Sequence, residues 1–103
     1  MTKDPQITVT VKEILDLIKN ISPGKSVELR VPPYGVIQCV EGGNHRRGTP
    51  PNTVEMSGQT LIKLINEPTA WDQLCQSAQI QASGVLSDLS EVFTEASAKY
   101  RGY

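Results

Sequence analysis

Ser-Val-Glu-Leu-Arg-Val, residues 26–31, alternates polar and apolar side chains along its whole length. This period of two is typical of a β-strand with one buried face and one face in water. Residues 53–56 and 79–84 alternate in the same way, whereas residues 36–40 are apolar on both faces and predict a more central strand. Because three of the four strands have one polar face, the helices must cover the same side. The sequence therefore predicts a two-layer α+β fold, a twisted sheet with helices packed on one face.

Four segments carry the apolar spacing of helices. The first covers residues 10–20 and is expected to begin with a capping box of Thr10 and Glu13. The second covers residues 58–66 after an N-cap at Ser57. A third helix carries Trp71 after an N-cap at Thr69, and a final helix follows Ser87 or Asp88. Residues 1–8 and 99–103 show no pattern, and we expect them to fray.

Length and charge narrow the class of protein. A chain of 103 residues is expected to form a single domain, residues 1–103. Ten basic and eleven acidic residues and a pI of about 5.7 argue against a nucleic-acid surface. The sequence has neither an apolar run long enough for stable membrane insertion nor a signal-peptide pattern. We therefore expect a cytoplasmic protein, with Cys39 and Cys75 as reduced thiols in apolar segments.

Residues 41–52, Glu-Gly-Gly-Asn-His-Arg-Arg-Gly-Thr-Pro-Pro-Asn, form a loop rich in unusual residues. Glycine backbone and basic side chains could together hold an anionic group. Alternatively, the glycines only make a turn, and one arginine pairs with an internal carboxylate such as Glu41 or Glu55. The candidate polar site consists of Gly42, Gly43, His45, Arg46 and Arg47.

Catalysis and metal binding find little support in the sequence. Cys39 and His45 could form a thiolate–imidazolium pair, but a cysteine in an apolar strand is usually inert and a third orienting residue is lacking. One histidine and two scattered cysteines are too few for a metal site. We predict no catalytic residue, no metal and no cofactor.

From residue 52 onward the order of elements resembles a known family. Asn52-Thr53-Val54-Glu55-Met56-Ser57, then Leu61-Ile62-Lys63-Leu64-Ile65, then Trp71, then Ile80-Gln81-Ala82-Ser83-Gly84 are similar to the second half of the sterol carrier protein-2 family. The strings Arg30-Val31-Pro32-Pro33 and Arg47-Gly48-Thr49-Pro50-Pro51-Asn52 resemble small bacterial sterol-carrier-like proteins. The resemblance covers about residues 26–93.

The resemblance implies a sterol-carrier-like fold with a mixed sheet of four to five strands. It also implies an apolar cavity for a lipid or other hydrophobic ligand between the sheet and the helices. By position, the lining would come from seven apolar side chains: Leu61, Leu64, Ile65, Trp71, Leu74, Leu89 and Phe93. The same residues are also what the apolar faces of helices in an ordinary packed core would contain, without a cavity. The family's long central hairpin is replaced here by residues 41–52, which predicts a smaller sheet.

We therefore expect a non-enzymatic protein that binds or transfers a small hydrophobic ligand, with any anionic head group near residues 41–52. The alternative is a ligand-free structural or protein-interaction module, such as a homodimer or an accessory domain, in which the loop braces the fold. Neither interpretation involves nucleic acid.

Overall fold

The computed structural model describes residues 4–42 and 52–101. Four α-helices, four strands and a short 3-10 helix follow one another along the chain. They are α1 (Pro5–Ile21), β1 (Val27–Val31), β2 (Gly35–Cys39), β3 (Asn52–Met56), α2 (Gly58–Asn66), the 3-10 helix (Pro68–Ala70), α3 (Trp71–Gln76), β4 (Ile80–Ser83) and α4 (Ser90–Arg101).

The strands form one mixed sheet in the order β2-β1-β3-β4. The central pair β1 and β3 is parallel, and both outer pairs are antiparallel. Along β1, Val27, Leu29 and Val31 are fully buried, whereas Arg30 is exposed on the opposite face. The buried face meets a helical layer in which α4 packs on α1 and α2. These features confirm the expected two-layer α+β fold with a four-stranded mixed sheet.

Strand β2 is an edge strand, so the prediction that it is central is wrong. Ile37 packs against the core and Cys39 is part of it, but Val36 is 57% exposed on the open face. There Val36 lines an apolar hollow with Pro32 and Pro33. In the sequence, an apolar residue that only lies beside prolines on an open face cannot be distinguished from one that a second layer of helices covers. The sequence therefore predicts a central strand at Val36.

Helix α1 begins five residues earlier than predicted. Asp4 is its N-cap, its Oδ1 accepts a hydrogen bond from the Gln6 N–H at 2.9 Å, and Pro5 takes the first helical position. Proline is favoured there because its missing N–H would have no partner within the helix. The capping box at Thr10 is therefore wrong, and residues 5–8 are helical rather than frayed. At the other end of the chain, α4 likewise continues through residue 101.

The N-caps differ in how well the sequence predicts them. The Ser57 hydroxyl accepts from the Thr60 N–H at 3.1 Å, which confirms the predicted start of α2. Thr69 is not an N-cap, because Pro68 starts a 3-10 turn that contains it and leads directly into α3. The Asp88 carboxylate accepts from the Ser90 N–H at 2.9 Å at the start of α4.

Candidate functional site

The seven apolar residues predicted to line a cavity converge in one layer between the sheet and the helices. Each of them is at most 5% exposed. The rings of Trp71 and Phe93 stack with their centroids 6.1 Å apart, which joins α3 to α4. Helix α4 lies across this layer, where it contacts α1, α2 and the 3-10 helix. All seven side chains are buried in the same core cluster, and one of them, Phe93, belongs to α4.

This layer is closely packed. The seven side chains belong to one cluster with the buried residues of α1 and of the sheet. Pockets of about 460, 500 and 580 Å³ lie elsewhere on the described part of the chain, and none of the seven side chains lines these pockets. The first lies beside Tyr34 and the start of α2, and the third lies on the open face of the sheet.

The polar candidate site can be described only at its first residue. Gly42 is placed, whereas Gly43, His45, Arg46 and Arg47 lie outside the described residues. A Cβ atom at Gly42 would lie 2.6 Å from the Ser26 Oγ and 2.7 Å from the Leu86 Cδ1. The glycine allows this close approach without displacing either side chain, so the loop starts in contact with both residues.

Asn52, at the other end of the loop, is a buried polar residue of which 1% is exposed. Its Nδ2 donates to the Ser26 carbonyl at 2.8 Å, and its Oδ1 accepts from the Leu86 N–H at 2.9 Å. One side chain therefore joins the start of β1, the start of β3 and the connection from β4 to α4. Sequence reasoning missed this role, because an asparagine that follows two prolines reads as an ordinary turn residue.

The connection that Asn52 holds, residues 84–87, is called here the apolar turn. Gly84 has a φ of +110°, and a Cβ on it would lie 2.2 Å from the Asn52 Oδ1. The Ser87 hydroxyl donates to the Gly84 carbonyl at 2.7 Å and closes the turn. Between them, Val85 is 96% exposed and Leu86 is 38% exposed. The turn is fixed by hydrogen bonds while its two aliphatic side chains face solvent.

Backbone strain is found where β2 leads into the loop. Val40 has a φ of +67°, which a β-branched residue rarely adopts and which costs about 1–2 kcal/mol. Two hydrogen bonds hold it there, from its N–H to the Ser22 carbonyl at 2.8 Å and from the Ser26 N–H to its carbonyl at 3.0 Å. Strain of this kind persists only where the surrounding structure enforces it.

The open face of the sheet carries a small ionic cluster. The Arg30 guanidinium contacts the Glu28 carboxylate and lies 3.9 Å from Glu55. Its hydrogen bond and ion pair with Glu28 raise the pKa of Arg30 above its usual value. Glu55 is one of the two carboxylates suggested above as a partner for an arginine of the loop. In the structure its carboxylate lies near Arg30.

The thiols are not activated. Burial raises the pKa of Cys39 to about 11, which disfavours the thiolate. Burial also raises the pKa of Cys75, and the charges of Asp72 and Asp88 add to the effect. Within residues 4–42 and 52–101, no three His, Cys, Asp or Glu side chains are grouped as metal ligands. In the same ranges, no helix is both long and apolar enough to cross a membrane.

Comparison with known proteins relates this architecture to a family. The family described as bacterial SCP ortholog matches residues 4–94 of the chain. A solved structure described as the UbiJ-SCP2 ubiquinone synthesis protein aligns with a TM-score of 0.56 at 16% identity, over 100% of this chain and 99% of that one. At that identity the likeness concerns the fold alone. No curated protein matches the sequence.

Proposed function

The chain belongs to the bacterial sterol carrier protein family, and we propose that it binds a small hydrophobic, lipid-like ligand between its sheet and its helices. It does so in the cytoplasm as a carrier, without catalysing a reaction and without a cofactor. The raised pKa values of both thiols agree with a non-enzymatic role, since the neutral thiol is a poor nucleophile.

The observation that supports the proposal is the burial of seven large apolar side chains in one cluster, in a layer where α4 packs on α1 and α2. Because this layer is closed, a ligand takes its place only when α4 moves away from α1 and α2. The contacts that α4 breaks are then replaced by contacts with the apolar part of the ligand. A carrier built in this way exposes little apolar surface when it is empty.

The head group of the ligand is assigned to the loop of residues 41–52. The contact of Gly42 with Leu86 brings the start of this loop to the turn that leads into α4. The backbone of Gly42 and Gly43 and the side chains of His45, Arg46 and Arg47 then supply hydrogen bonds and positive charge to an anionic group. The name of the solved neighbour refers to ubiquinone synthesis, so a long-chain quinone belongs among the ligands to be tested.

Mass spectrometry of an organic extract of the purified protein tests the proposal, together with titration of a fluorescent fatty acid. Leu64→Ala in the proposed lining should change the Kd of the probe at least threefold. Ile18→Ala, a buried residue of α1 outside that lining, is the matched control and should leave it unchanged. If no lipid is extracted and the probe is not retained, the protein is not a carrier.

The head-group assignment has a separate test. Replacing both Arg46 and Arg47 with alanine should weaken binding of an anionic probe several-fold and leave that of a neutral analogue of equal chain length unchanged. The melting temperature should stay nearly constant if these arginines serve the ligand and not the fold. A large loss of stability would instead assign these arginines to bracing the fold.

A second function is favoured by the close packing of the same layer and by the hydrogen bonds of Asn52. Both suit a ligand-free interaction module, as a homodimer or an accessory domain, in which the loop serves as a brace. Such a module retains no lipid, and its Leu64→Ala and Ile18→Ala variants differ from wild type only in stability.

A further inference from the structure

We propose that the apolar turn, residues 84–87, is the surface through which this protein touches a lipid bilayer to load and unload its ligand. The inference rests on the proposed function and adds its partner, a lipid surface. It concerns weak and reversible adsorption at one point and not insertion of a helix.

The turn is distinguished by two exposed aliphatic side chains in adjacent positions. In the described part of the chain the exposed large apolar residues are Val9, Val36, Val85 and Leu86. Val36 lies opposite Arg30 in the sheet, and Val9 lies one helical turn from Lys12 and Glu13. Neither of these two valines has an exposed large apolar residue next to it in the chain, and single exposed apolar residues are normal on a soluble protein.

The chemistry of the turn suits contact with hydrocarbon. Residues 82–87 read Ala-Ser-Gly-Val-Leu-Ser and contain no charged side chain. Asp88, which follows the turn and is exposed, can stay in water when only Val85 and Leu86 enter the interfacial layer, so no charge is desolvated at the tip itself. Apolar contact of only two aliphatic side chains supports marginal binding, weaker than a stable anchor requires. Such binding is what a protein needs if it is to leave the bilayer with its ligand.

The turn is also ordered before it meets a bilayer. Leu86 is held by the carboxamide of Asn52, and Gly84 is held by the hydroxyl of Ser87. Little conformational entropy is then lost on contact, since the side chains are already presented.

The position of the turn connects the bilayer with the proposed ligand site. Leu89 follows it closely, is fully buried, and belongs to the apolar layer beneath α4. Gly42, where the head-group loop starts, contacts Leu86 itself. A lipid that leaves the bilayer at the turn therefore meets the start of α4 on one side and Gly42 on the other.

Flotation with phosphatidylcholine vesicles tests the inference. The wild-type protein should float in part at millimolar lipid, and to the same extent in 0.1 M and 0.5 M NaCl because the contact is apolar. Val85→Asp should lower the floated fraction at least fivefold. Val9→Asp is the matched control, since it places the same charge at another exposed valine, and it should float as the wild type does. Equal melting temperatures of the two variants show that both fold.

Transfer of a fluorescent fatty acid separates this inference from the proposed function. In buffer without vesicles, Val85→Asp should bind the probe with an unchanged Kd, whereas its uptake of the probe from vesicles should slow at least fivefold. A wild-type protein that binds the probe but does not float overturns the inference and leaves the carrier function standing. A protein that floats without binding the probe overturns both. Flotation that is lost in 0.5 M NaCl, or lowered equally by Val9→Asp, also overturns the apolar contact.

Discussion

The two ends of the sheet are held by different kinds of interaction. At the loop end, where β1 and β3 begin, buried Asn52 joins three segments, and both Val40 and Gly84 have positive φ angles. At the proline end, where Pro32 and Pro33 follow β1, the contacts are those of an ordinary helix start: Ser57 caps α2 and the ring of Tyr34 packs on Gly58. Buried polar contacts are concentrated at the loop end, where Gly42 and the apolar turn also lie, whereas a positive φ angle also occurs towards the other end, at Ala78 before β4.

Glycine replacements should show the largest difference between the ends. At Gly84 a Cβ would lie 2.2 Å from the Asn52 Oδ1 and 2.9 Å from its Cα, in a backbone with φ at +110°. Left-handed strain and overpacking together predict that Gly84→Ala lowers the free energy of unfolding by about 3 kcal/mol or more. At Gly58 a Cβ meets only side-chain atoms of Tyr34 and Ile7, at 2.8 and 2.9 Å.

Gly58→Ala should therefore cost about 1 kcal/mol, at the low end of overpacking, because these side chains can shift. Urea unfolding followed by circular dichroism measures both variants. Equal losses at Gly84 and Gly58 would show that the loop end is no more rigidly packed than the proline end.

Loss of single side-chain hydrogen bonds should give a smaller difference. Asn52→Ala removes the partner of the buried Ser26 carbonyl and of the partly buried Leu86 N–H, which costs about 2–4 kcal/mol for the two groups. Ser57→Ala removes one N-cap and should cost about 1 kcal/mol. Chemical denaturation of both variants gives these values.

Asn52→Asp separates the two hydrogen bonds of the carboxamide. It keeps an acceptor for Leu86 but sets an oxygen against the Ser26 carbonyl, so it should destabilise the protein at least as much as Asn52→Ala at pH 7. If both Asn52 variants behave like Ser57→Ala, the carboxamide is not the main connection at the loop end.

The sequence predicts those parts of the molecule that depend on local periodicity and local caps. The spacing of Leu61, Leu64 and Ile65 predicts the inner face of α2, and Ser57 marks its first turn, because both signals lie within one helix. The alternation in β1 likewise predicts which side of the sheet is covered. The start of α1 is missed because Asp4 and Pro5 precede the apolar stripe that reveals the helix.

The features missed from sequence at the loop end depend on contacts between distant segments. Asn52 bonds to residues 26 and 34 positions away, and neither partner is a side-chain group that a motif could show. The edge position of β2 follows from strand order and not from composition. The convergence of seven apolar side chains could be predicted from helical spacing, whereas the exposure of Val85 and Leu86 depends on how the turn between β4 and α4 is tied down.

The last contrast concerns the reactivity of the two thiols. Cys39 is fully buried where β2 ends at the loop, whereas Cys75 lies half-buried on α3. A thiol reagent at pH 8 should modify Cys75 roughly a hundred times faster than Cys39, because modification of Cys39 requires the loop end to open. Mass spectrometry of the labelled protein measures both rates, with Cys75→Ser as the control that isolates Cys39.

The pH dependence of stability follows from the same burial. The pKa of Cys39 is raised from 9.0 in the unfolded chain to about 11 in the folded protein, so folding favours the neutral thiol. The stabilisation that results from this difference in the pKa of Cys39 is fully present below pH 9 and is lost as the pH rises towards 11. Cys39→Ala should flatten the fall in melting temperature between pH 9 and 11. The labelling experiment would contradict the contrast between the two ends of the sheet if both thiols reacted at the same rate. Cys39, at the end of β2, would then be as accessible to the reagent as Cys75 on α3.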